Sequence, residues 1–196
     1  MTPKASKRSN AHRAARIHHA EQRAVEILAK LRILRAPVPV EKIALQLGLL
    51  VKRAAFGDDV SGLLVVQDGR GVIGINAAHS STRQRFTIAH ELGHFVLHPS
   101  AMPVFIDKSF LKPYFTAFRN STSATGEDRI EREANSFAAA LLMPAELVHQ
   151  AIAELSVDLA DDDEVDELAK RFQVSRQAMS FRLANLAISD EKAARR

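Results

Sequence analysis

One segment near the middle of the chain restricts the fold more than any other. Between Arg85 and His98, Phe86, Ile88, Ala89, Leu92, Phe95 and Val96 give a helix apolar surroundings on several sides. A helix that is apolar nearly all round belongs inside a protein. Ser81 and Gln84 stand at capping-box spacing before it, and Pro99 forbids continuation past about His98. Yet the same segment carries His90, Glu91 and His94. Polar side chains on a buried helix need partners, because an unpaired polar group in an apolar interior costs roughly 2–7 kcal/mol. The fold must therefore wrap a central helix whose polar residues have a reason to be buried.

The sequence from His90 to His94 has the form H-E-x-x-H. Residues four apart lie one above the other on a helix, so both imidazoles can reach one metal ion. Glu91 sits beside them as a general base. Zinc held there would bring the pKa of its water down to about 7; Glu91 would take the proton and pass it to the leaving amine. The chain has no cysteine, so a zinc ion must be held by His, Asp or Glu. A catalytic zinc takes three protein ligands and keeps one position open.

Three residues compete for the third ligand position. His98 lies one turn beyond His94 but directly precedes Pro99, and reads as a helix cap or surface residue. A helix over residues 128–143 is a better source. Glu131 is favoured there because Asn135 follows on the same face, where it would orient a ligand histidine from behind. Glu133 is the rival and reads as a surface or supporting acid. Gly93, between the two histidines, costs about 1 kcal/mol of helix propensity and marks the close approach of another element.

The remaining pattern frames this centre. Residues 1–16 are expected to form a disordered basic arm. Residues 17–156 form a zincin-like catalytic domain with N-terminal helices, 157–190 an acidic connector with C-terminal helices, and 191–196 a disordered tail. A first helix should run from about residue 11 to Arg35 along Ile17, Ala20, Ala24, Leu28, Leu31 and Leu34, stopped by Pro37 and Pro39; a short second one covers 40–47 before Gly48. Residues 62–67 and 71–76, joined across Asp68 and Gly69, predict a β-hairpin. A Phe-rich segment, 105–118, and a Ser/Thr/Gly loop, 120–126, follow. Pro144 separates the 128–143 helix from another over 144–155, and two more are expected over 164–171 and 175–186. The fold class is α+β: a mainly helical domain with a small antiparallel sheet or hairpin and a helix-turn-helix-like C-terminal pair.

At this point the sequence resembles the ImmA/IrrE-type zinc metallopeptidases of bacteria and mobile elements. The resemblance rests on RFTIAHELGHFVLH at 85–98 and EREANSFAAALLMP at 131–144, with VFID at 104–107 and LAKRFQVSRQAMSFRLANL at 168–186 also similar. It implies a gluzincin-like site: His90, His94 and Glu131 as ligands of Zn2+ and Glu91 as catalytic acid/base. Family members cleave a cognate Cro/CI-type repressor, so it also implies a helix-turn-helix repressor as substrate partner. An exposed sheet edge, from 62–67 or 71–76, would be a natural receiver for an extended substrate segment.

Charge bears on the alternatives. Residues 1–35 carry nine Lys or Arg against two acids, net +7, which leaves −3 for the rest of a chain whose total is +4. A net-negative body repels phosphate, so specific nucleic-acid binding is not expected. Arg176 and Arg182, on the outward side of the last helix pair together with Arg171 and Gln177, are candidates for substrate recognition. The competing functions are a direct DNA-binding regulator, a toxin–antitoxin-associated binding protein with a structural zinc, and a zinc hydrolase acting on a non-peptide amide or ester. No stretch approaches the roughly 18 apolar residues of a membrane span, and no secretory signal is apparent, so a cytoplasmic location is expected.

Overall fold

The apolar central helix is α3, Ser81–Leu97, and every residue from Phe86 to His94 is buried. In the computed structural model, which describes residues 3–56, 60–67, 70–99, 104–107, 126–155, 157 and 161–194, it is preceded by α1 (Pro3–Lys30), α2 (Val40–Gln46), β1 (Leu49–Ala54), β2 (Gly62–Gln67) and β3 (Arg70–Asn76). β4 (Val104–Asp107), α4 (Gly126–Leu142), α5 (Ala145–Leu155), α6 (Asp162–Phe172) and α7 (Arg176–Ala194) follow it. The architecture is the expected one: mainly helical, with one small sheet and a C-terminal helix pair, α6–α7. The Phe-rich segment beyond Asp107, the 120–126 loop up to residue 125, and the hairpin turn at 68–69 lie outside the described residues.

The cap of α3 differs by one residue from the sequence expectation. Ser80, not Ser81, is the N-cap, its Oγ accepting from the Arg83 amide at 3.4 Å. Gln84 reaches back past it and donates to the carbonyls of His79 (2.8 Å) and Ala77 (3.3 Å), closing the turn that enters the helix. At the other end His98 is the C-cap, as its place before Pro99 implied.

α3 packs chiefly on α4, and α4 is covered in turn by α1. Ala134, Phe137, Ala138, Leu141 and Leu142 supply the buried face of α4. Gly93 is where the helices touch. A Cβ there would stand 2.9 Å from the Cα and 3.0 Å from the carbonyl oxygen of Ala134, closer than real Cβ atoms come. The glycine sets how near α4 can approach.

The sheet is mixed and four-stranded, in the order β1-β3-β2-β4. β2 and β3 form the expected antiparallel hairpin, Gly62 opposite Ile75 and Gln67 opposite Arg70. β4 joins β2 antiparallel, while β1 runs parallel to β3. Neither flanking strand was read from the sequence. β1 is an edge strand whose later residues, Lys52 to Ala54, are exposed, so it lacks the continuous apolar run of a central strand. The two flanking strands correct the edge assignment: 62–67 and 71–76 are paired on both sides, and among the described residues the sheet edges are β1 and β4.

α1 also departs from expectation at both ends. It begins at Pro3, so most of the segment expected as a disordered arm is helical, in keeping with the good helix propensity of its Ala, Lys and Arg residues. It ends at Lys30, short of Arg35, because Arg32 adopts a left-handed conformation (φ 52°). The Ile33 amide donates to the Leu28 carbonyl and the Arg32 amide to that of Ala29, a Schellman closure that needs no proline. Leu34 therefore leaves the apolar stripe and is 79% exposed, whereas Ala20, Ala24, Ile27 and Leu28 are buried. The acidic run is likewise more than a connector. Asp161 caps α6, and Asp162, Asp163 and Glu164 fill its first turn, where negative charge complements the helix dipole. α7 continues to Ala194, beyond the expected end near Leu186.

Candidate metal centre

α3 carries His90, Glu91 and His94 as buried side chains, at most 2% exposed. α4 delivers Glu131 to the same point. Its Oε2 lies 3.2 Å from Nε2 of His90 and its Oε1 3.2 Å from Nε2 of His94, while the two Nε2 atoms are 2.9 Å apart. Three donors bound to one zinc at about 2 Å must stand roughly 3–3.5 Å from one another. The observed spacings approach that range, so these residues could hold a metal ion.

The tautomer of His90 supports the fit. Its Nδ1 donates to Oδ1 of Asn135 at 2.9 Å, and an amide oxygen only accepts. Nε2 then presents its lone pair towards Glu131. A lone pair facing a carboxylate oxygen is repulsive unless a cation or proton lies between them. Asn135, four residues after Glu131, is thus hydrogen-bonded to the ring of His90.

Titration points the same way. Burial, followed by the neighbouring His90, pushes His94 down to about 4, outweighing the opposing pull of Glu131. Burial raises Glu131, but the His90 and His94 rings facing it overcome this and hold it well below the ordinary carboxylate range. At neutral pH the group therefore combines a neutral His94 with an ionised Glu131, the protonation states that metal binding requires.

The rivals for the third position fall elsewhere. His98 faces Oε2 of Glu133 at 3.5 Å, and Oε1 of Glu133 accepts from Nε of Arg16 at 2.5 Å. Glu133 is 7% exposed, so it is a supporting acid and not a surface one. Arg16 was not singled out by sequence reasoning, which placed it in the arm. The available signal was its position one turn before Ala20, on the stripe that continues to Ala24.

The two arginines expected to face outward part company. Arg176 is exposed and pairs with Asp162 at 3.4 Å. Arg182 is 6% exposed, donating from Nε to the Met143 carbonyl at 2.9 Å and pairing with Glu21 at 2.7 Å. It is corrected from an outward position to an internal brace tying α7 to α1 and to the end of α4. Arg85 makes a similar tie, donating to the carbonyls of Val38 (2.9 Å) and Gln173 (3.2 Å) and so joining α3 to the α6–α7 turn.

A family model described as the IrrE N-terminal-like domain matches residues 44–184, which include the whole donor set. The chain belongs to this family, Peptidase M78. Among its relatives is the radiation response metalloprotease IrrE of Deinococcus radiodurans, 33% identical over 112 residues that make up 57% of this chain and 30% of that protein. A solved structure, a Mycobacterium tuberculosis transcriptional regulator, shares the fold with a TM-score of 0.55 at 18% identity, over 83% of this chain and 45% of that one. The matches thus span less than half the length of either protein. Membership of a peptidase family, together with the His-His-Glu cluster, supports protease-like activity for this M78 chain. Its α1 precedes the matched residues, although it packs directly on α4, which carries Glu131. Among the described residues, no single helix is long and apolar enough to cross a membrane.

Proposed function

We propose that the chain is a zinc-dependent endopeptidase acting in the cytoplasm on a Cro/CI-like helix-turn-helix repressor, and so a regulator of transcription through proteolysis. The observation that carries this reading is the meeting of His90, His94 and Glu131, on two helices, with the fully buried Glu91 next to His90 in the same helix. His90, His94 and Glu131 would be the ligands of Zn2+, with Asn135 orienting His90. When bound, the ion would polarise the scissile carbonyl and acidify water. Glu91 takes the proton of the attacking water on its carboxylate and returns it to the leaving nitrogen. The catalytic unit is residues 17–156 extended by Arg16, with the α6–α7 region as a recognition appendage in which Arg176 remains the outward candidate.

The substrate edge is β4. Gly62 of β2 lies against Glu91, and β4 pairs with β2 at that level, Asp107 opposite Gly62, leaving its other side open among the described residues. An extended segment added there would continue the sheet beside the base. A structural zinc would need a fourth protein donor, whereas the group among the described residues has three.

The test is incubation of the zinc-loaded protein with Cro/CI-type repressors from the same genome, followed by mass spectrometry of the products. Cleavage should disappear on chelation and return with zinc. Glu91→Gln should lower it by about 10²–10⁴-fold while keeping the metal. Undiminished cleavage in that variant would refute the mechanism.

A further inference from the structure

β2 passes the candidate base at unusually short range. Gly62 is buried, and a Cβ on it would stand 2.4 Å from Cγ2 of Thr87, 3.1 Å from Oε1 of Glu91 and 3.2 Å from the Gly74 carbonyl oxygen. Non-bonded carbon atoms prefer about 3.5–4.0 Å, so the first distance is impossible and the second is tight. Thr87 precedes Glu91 by one helical turn, and its hydroxyl donates to the Arg83 carbonyl at 3.1 Å. That bond restricts the rotamer of a β-branched side chain and keeps the methyl turned towards β2.

The strand cannot retreat cheaply. Gly62 is paired on one side with Ile75 and on the other with Asp107. Its neighbour Ser61 accepts from the Asn76 amide at 3.0 Å and, through Oγ, from Arg83 of α3 at 2.9 Å. Sheet and helix are therefore clamped together at the level of the glutamate. The methyl of Thr87 and Oε1 of Glu91 both border the space that the bare Cα of residue 62 leaves open.

We propose that Gly62 and the Thr87 methyl form a seat that sets where the Glu91 carboxylate stands relative to the imidazoles, which makes Gly62 a positioning residue for hydrolysis. The inference rests on the reading of Glu91 as base. A glutamate has three side-chain torsions, and a misplacement approaching 1 Å at a reacting group can cost about 10²-fold in rate. A seat that admits one carboxylate position removes that loss.

The experiment separates seating from packing by comparing Gly62→Ala, Thr87→Ser and the double variant. In Gly62→Ala the new methyl meets Cγ2 of Thr87, and Tm should fall. Thr87→Ser deletes that carbon but keeps the hydroxyl bond to Arg83, so the double variant should recover the Tm of Thr87→Ser alone. The contact with Oε1 persists in it. With zinc-loaded protein and the Cro/CI-type repressors of the same genome as substrates, kcat of the double variant should therefore stay at least about tenfold below that of Thr87→Ser, with KM and zinc content little changed. Its crystal structure should show Oε1 displaced by a few tenths of an ångström. Full recovery of kcat along with Tm, or an unmoved Oε1, would overturn the proposal and leave Gly62 as a packing residue. Wild-type protein no more active than Glu91→Gln would instead count against the hydrolytic reading, and the position of Oε1 would still decide the seat.

Discussion

The two ligand helices and the C-terminal pair place polar residues in similar apolar settings and for different reasons. On α3 and α4, His90, His94 and Glu131 converge on one point, and Asn135 holds the first of them from behind. On α7, Arg182 is just as hidden, yet it braces the Met143 carbonyl and Glu21 and faces no site. Burial of a polar group therefore does not by itself announce chemistry. What distinguishes the centre is convergence: three side chains that can each offer a donor atom to one metal ion meet at one point. The brace is a pairwise contact that satisfies its own members.

The sharpest way to break the centre is through Gly93. Alanine would contribute about 1 kcal/mol of helix propensity, but its methyl would meet backbone atoms of Ala134, which cannot rotate aside. α4 must then back away and carry Glu131 with it. Gly93→Ala should lose zinc affinity by at least about tenfold and cost about 2 kcal/mol of stability, read by chelator competition and thermal unfolding. An unchanged affinity would mean that the contact at Gly93 does not set the position of the third donor.

The same region should show a pH signature in the metal-free protein. His94 lies at about 4 when folded, below its ordinary value of 6.5. Its contribution is complete above 6.5 and is lost as pH falls from there towards 4, because the unfolded chain then binds a proton that the folded one refuses. Lowering the pH from 8 to 5 should cost on the order of 2 kcal/mol, measured by denaturant unfolding, and His94→Gln should flatten the slope. A stability that rose on acidification would contradict the assigned neutral form.

The periphery should respond through packing alone. Arg182→Ala leaves Met143 and Glu21 without their donor and should destabilise by about 2 kcal/mol, with zinc content intact. Arg176→Ala removes an exposed pair with Asp162 and should shift stability by less than about 0.5 kcal/mol. Equal effects of the two substitutions would erase the distinction between brace and surface.

Legibility in the sequence followed distance along the chain. The helical spacing of His90 and His94, the stop at Pro99, and Asn135 four residues after Glu131 are local relations, and each reappears in the structure. The hairpin was legible because two apolar, Val- and Ile-rich runs flank Asp68 and Gly69 in the sequence. β1 was not, since four of its six residues are exposed and its partner β3 is parallel, with β2 intervening in sequence. Arg16 and Arg182 find their carboxylates 117 and 161 residues away, which no local pattern encodes. The end of α1 rests on a left-handed arginine, where composition suggested the prolines.

The central claim is that His90, His94 and Glu131 hold one zinc ion while Glu91 stands beside it without binding. Zinc content of purified, dialysed protein, measured by plasma mass spectrometry on wild type, Glu91→Gln, Glu131→Ala and Glu133→Ala, tests it most directly. The account predicts about one zinc per chain in wild type and in Glu91→Gln, most of it retained in Glu133→Ala, and little or none in Glu131→Ala. Zinc lost from Glu91→Gln, or kept in Glu131→Ala while lost from Glu133→Ala, would contradict it.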